Sequence, residues 1–125
     1  RDYVEGMHKI MQHETPDDFV FATGEAITVR EFVERSFKQV EKYIEWRGEG
    51  LDEIGVDRDT GRLLVKVDKK FFRPKEVGYL LGDAAKARDI LGWTPKITLD
   101  ELILDMLRHD RTCLQEQGKR CLKTG

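Results

Sequence analysis

The chain has 125 residues, enough for one domain that buries roughly two thirds of its unfolded surface. Its 22 basic and 24 acidic residues nearly cancel, and no basic block or basic helix stripe supplies the footprint of a nucleic-acid binder. No apolar run approaches the ~18–20 residues that span a bilayer, and no signal-peptide pattern opens the chain.

Residues 2–12 read as an amphipathic helix, because Tyr3, Val4, Met7, Ile10 and Met11 recur at helical spacing. The chain therefore starts inside an element, with Arg1-Asp2-Tyr3 and no methionine, and the expectation is truncation upstream. Pro16 ends the polar turn at 13–18. Residues 19–22, Phe-Val-Phe-Ala, are apolar without alternation, the pattern of a strand covered on both faces in a parallel sheet.

Thr28-Val29-Arg30-Glu31 is a capping box, in which Thr28 accepts an orphan amide and Glu31 reaches back. It predicts a helix ending near Glu41, with Val29, Phe32, Val33, Phe37 and Val40 inward. Residues 43–46 carry the period of a half-buried strand. Residues 48–62 read as a loop rich in glycine and aspartate, closed by Asp59-Thr60-Gly61, and residues 63–68 as the next strand.

Asp83 is placed to cap a short helix over 84–90, and Gly92 to take the left-handed conformation that ends it. Thr98-Leu99-Asp100-Glu101 is a second capping box. It opens a long helix with Leu99, Leu102, Ile103, Met106 and Leu107 inward, and the residues beyond Gln117 read as a fraying polar tail. The order is mixed α/β. A strand apolar on both faces needs sheet partners that this chain hardly supplies, so residues 19–22 are expected to join a sheet built upstream.

Most reactive side chains form no constellation. His8 and His13 are five residues apart and do not share a helix face. His109 and Cys113 share one, yet two ligands do not make a zinc site. Cys113 and Cys121 are too few for a secreted disulfide framework and read as free thiols in a reducing, cytoplasmic compartment. Residues 57–61 read as a turn joining two strands rather than a calcium loop. Ser36 and Thr112 lack a base, and Gly48-Glu49-Gly50 does not continue into a dinucleotide fingerprint.

Arg73 and Glu76 remain. Proline at 74 sets Arg73 in extended backbone, with Glu76 in the first turn after it. A guanidinium there can pair with phosphate while a carboxylate accepts sugar hydroxyls, as a sugar nucleotide requires. A surface ion pair at i,i+3 fits the same residues.

Several runs resemble the C-terminal part of GDP-mannose 4,6-dehydratase. They are Asp2-Tyr3-Val4-Glu5-Gly6-Met7, residues 16–25 with their Ala22-Thr23-Gly24-Glu25, residues 28–34, and Phe71-Phe72-Arg73-Pro74-Lys75-Glu76-Val77. Leu81-Gly82-Asp83 through Leu91-Gly92-Trp93-Thr94-Pro95 resembles extended short-chain dehydrogenase/reductases at large. The likeness runs to about residue 110.

It implies the substrate-binding part of an extended short-chain dehydrogenase/reductase fold, over residues 1–117, lacking most of the dinucleotide-binding sheet. Residues 2–23 would pack as helix and strand of that missing fold, and residues 118–125 would be the tail. The implied enzyme is an NADP-dependent lyase. It oxidises C4 of GDP-mannose, eliminates water across C5–C6 and returns the hydride to C6, giving GDP-4-keto-6-deoxymannose on the way to GDP-fucose and other deoxysugars. NADP would be bound by the missing N-terminal half, and the complete enzyme would be a cytoplasmic homo-oligomer.

No catalytic, cofactor or metal residue carries over. The residues four after Tyr3, Tyr43 and Tyr79 are Met7, Arg47 and Asp83, so the family's Tyr-x-x-x-Lys pair has no counterpart, and the chain alone is expected to be inactive. Two substrate-binding positions do match. Arg73 is expected on the diphosphate, and Glu76 on the GDP ribose or orienting the arginine. Lys75 replaces a usual threonine, and Gly78 replaces a usual acidic residue. Two alternatives stay open: a non-catalytic module that binds a GDP-sugar or a partner dehydratase, and a related sugar-nucleotide epimerase or reductase.

Overall fold

The computed structural model describes residues 1–73 and 77–121, with side chains through residue 116. Among them are four α-helices and one three-stranded antiparallel sheet, an α/β arrangement. The chain divides into two units, residues 1–27 with 77–99, and residues 28–76 with 100–125.

In the first unit, helix α1 (Asp2–Gln12) matches the predicted element, and helix α3 spans Ala85–Leu91. Small residues set this unit's packing. Gly6 and Ala87 are buried, and a Cβ added to Gly6 would lie 2.7 Å from the Phe21 ring. Phe21 in turn lies 4.7 Å, centroid to centroid, from Trp93, which is only 1% exposed. The Trp93 indole N–H donates to the Asp2 carbonyl at 2.8 Å, so the largest core side chain leaves no polar atom unpaired.

α3 starts one residue later than expected, with Ala84 rather than Asp83 at the N-cap position, and Gly92 ends it as the sequence suggests. The Ala85 amide donates to Asp83 Oδ1 at 2.8 Å, and Gly92 takes φ 59° at the C-terminus. Lys9 Nζ reaches from α1 to the carbonyls of Leu91 and Gly92, at 3.1 and 2.9 Å. It supplies a cation and two hydrogen bonds where the helix leaves carbonyls unmet. Asp2 accepts the amides of Lys96 and Ile97, and the Ile97 amide first, then that of Lys96, holds its carboxyl below the ordinary range.

Residues 19–22 form no strand. They run irregularly, with Phe19, Phe21 and Ala22 half-buried and Val20 exposed, and no ladder partner exists among the described residues. Within this chain the segment is a lone extended stretch, which has no sheet among the described residues to satisfy its backbone.

In the second unit, the capping box forms in both directions and starts helix α2 (Val29–Lys38). The helix stops short of Glu41, which turns the chain at φ 58°. Strand β1 (Ile44–Arg47) alternates half-buried and exposed side chains as predicted. The residues read as a loop hold a further strand. Strand β2 (Ile54–Asp57) lies at the centre of the sheet, between β1 and β3 (Leu63–Lys66). Four residues containing glycine and aspartate carry too little strand signal to be seen in sequence. Gly55 is there because it sits opposite Trp46, where an added Cβ would lie 3.2 Å from the indole ring.

Asp57 closes β2 and is only 2% exposed. Its carboxylate takes the Lys42 ammonium at 2.6 Å and the Asp59 amide at 3.0 Å. Lys42 first, then the Asp59 amide, lowers its pKa to about 2. The Gly61 amide donates to the Asp57 carbonyl, so residues 57–61 are the turn between two strands.

Helix α4 (Leu99–Cys121) continues into the segment expected to be a tail, since nothing in its sequence before Gly118 breaks a helix. Ile103 is its buried residue at 1% exposure, with Leu104 and Leu107 half-buried. Leu102 and Met106, expected inward, lie exposed on the neighbouring stripe.

Candidate functional site

β3 feeds directly into the run that carries the predicted binding residues. After Lys66 the chain tightens: the Lys70 amide donates to Asp68 Oδ1 at 2.9 Å and the Phe71 amide to the Asp68 carbonyl at 3.0 Å. The Phe72 amide donates to the Lys69 carbonyl at 3.4 Å. An aspartate that bonds its own backbone two residues on is a usual way to fix such a turn. The turn projects Lys69, Lys70, Phe71, Phe72 and Arg73 into solvent.

Arg73 is therefore exposed at the end of this turn, and no carboxylate pairs with it among the described residues. Glu76, with Pro74 and Lys75, lies outside the described residues. The juxtaposition of Arg73 with Glu76 belongs to the sequence reading alone. The turn adds one feature that spacing does not reveal: Phe71 is 73% exposed, with the Lys70 ammonium 5.3 Å from its ring centroid.

The first unit holds an open cleft of about 380 Å³. Three runs singled out in the sequence line it: Thr23 and Gly24, Gly82 and Asp83, and Trp93 with the two residues after it. Gly82 makes this convergence possible, because a Cβ there would lie 2.5 Å from that of Ala22. Its polar groups are occupied locally. The Thr23 hydroxyl accepts the Glu25 amide, Asp83 accepts Ala85, and Arg88 Nε meets Asp89 at 3.0 Å.

The remaining candidates have structural uses. His13 Nδ1 meets the Thr15 carbonyl at 2.7 Å, and its ring lies edge-on to Phe19. His109 Nε2 and Cys113 Sγ lie 3.4 Å apart on one face of α4. No cluster of three or more metal-ligating His, Cys, Asp or Glu side chains occurs among the described residues. Arg30 bridges to Glu53 and lies 4.8 Å over the Trp46 ring, whose N–H donates to Glu34 at 2.7 Å. No helix among the described residues is long and apolar enough to cross a membrane.

Residues 1–106 match a family model described as GDP-mannose 4,6 dehydratase. The chain is 51% identical over 109 residues to the GDP-mannose 4,6 dehydratase of Drosophila melanogaster, a match covering 87% of this chain and 28% of that protein. It is 46% identical over 110 residues to the protein of that name from Homo sapiens, covering 88% of this chain and 30% of the relative. A GDP-mannose 4,6-dehydratase of Sinorhizobium fredii (strain HH103) is 46% identical over 115 residues, covering 92% of this chain and 33% of the relative. The chain thus spans about three tenths of the length of these relatives.

Proposed function

The chain belongs to the GDP-mannose 4,6 dehydratase family, and from that premise we propose that it forms the GDP-sugar-binding part of such an enzyme. The complete enzyme would convert GDP-mannose to GDP-4-keto-6-deoxymannose, a lyase reaction supplying GDP-fucose and other deoxysugars. The observation that carries this reading is the family match over residues 1–106, which includes the run around Arg73.

In this reading residues 1–117 are the substrate-binding region of an extended short-chain dehydrogenase/reductase fold. Residues 2–23 complete the dinucleotide-binding sheet and its covering layer. Two features support that assignment. Residues 19–22 have no ladder partner among the described residues, and α1 leaves Val4, Met7 and Met11 exposed. Both are surfaces that a covering layer would bury.

Arg73 takes the diphosphate, where a planar guanidinium can form two parallel hydrogen bonds to phosphate oxygens. Glu76 accepts from the ribose hydroxyls or orients the arginine. NADP, the oxidant and later reductant of the reaction, does not fit the residues present. The sheet is antiparallel, and no strand, glycine turn and helix succeed one another among the described residues as a dinucleotide site requires. Cofactor binding and proton transfer are accordingly assigned to the rest of a cytoplasmic, homo-oligomeric enzyme. The experiment that tests the reading is the GDP-mannose affinity of the full-length protein with Arg73→Ala.

A further inference from the structure

We draw no further inference here: the strongest candidate, the open cleft of the first unit between Thr23, Gly82, Asp83 and Trp93, carries nothing because the chain spans about three tenths of the length of its relatives and nothing in the structure shows what fills or covers that cleft.

Discussion

Asp57 and Lys42 form a contact of unequal burial, 2.6 Å between carboxylate and ammonium, with the aspartate nearly sealed and the lysine side chain still 44% exposed. The pair ties the segment after α2 to the central strand. A group whose folded pKa is depressed adds stability above its unfolded pKa and loses it as pH falls through the folded value. With Asp57 at about 2, against an ordinary value of ~3.9, that loss falls between about pH 4 and pH 2. Thermal midpoints followed over this window should drop, and Asp57→Asn should make the drop shallower. An acid limb of the same steepness in both proteins would refute the assignment.

Trp93 gives the sharpest stability test in the first unit. Trp93→Ala removes a side chain 1% exposed and should cost about 3–5 kcal/mol in denaturant unfolding. Trp93→Phe keeps most of the volume but removes the indole N–H that donates to the Asp2 carbonyl, at a cost of about 0.5–1.5 kcal/mol. Equal effects from the two variants would mean that the hydrogen bond contributes nothing separate.

Thr28→Ala breaks one arm of the capping box and should destabilise the second unit by about 1 kcal/mol. Thr28→Ser should recover most of that loss. A neutral alanine variant in urea unfolding would contradict a structural role for the box.

Arg73→Ala should weaken GDP-mannose binding to the full-length protein by roughly 2–5 kcal/mol, if binding desolvates the charge pair. Because Arg73 is exposed, the thermal midpoint without ligand should not move. Arg73→Lys keeps the charge but not the planar fork, so it should recover only part of the affinity. Unaltered binding in the alanine variant would end the assignment.

The 125 residues alone should turn over no GDP-mannose when supplied with NADP, because no strand, glycine turn and helix succeed one another among the described residues and the sequence has no Tyr-x-x-x-Lys pair. Formation of a 4-keto product by the isolated chain would contradict this directly.

Sequence made legible whatever local chemistry decides. The Thr28–Glu31 box and the left-handed Gly92 depend on neighbours within a few residues, and each stands where its pattern puts it, while α3 starts one residue later than Asp83 suggests. β2 escaped because its place is set by Trp46 and Val65 across the sheet, not by its own Ile-Gly-Val-Asp. Residues 19–22 show the converse: their composition suits a strand, and the described residues supply no ladder for it. At the candidate site, the turn over residues 68–72 is not legible, because the strand pattern runs on to Asp68 while the ladder ends at Lys66, and the exposure of Phe71 depends on tertiary surroundings that periodicity does not carry.

The first unit joins residues 1–27 to residues 77–99, and its central hydrogen bond links positions 91 apart in the chain. On a ribosome adding ~5–20 residues per second, Asp2 waits roughly 5–18 s before Trp93 is even made. Throughout that interval Gly6, Phe21 and the inner face of α1 have no Trp93 or Ala87 to pack on. The β1–β3 meander, contiguous in sequence, has meanwhile been synthesised in full. Order of assembly is thereby written into the connectivity: the strands can close first, and the contact between Asp2 and Trp93 can form only after them.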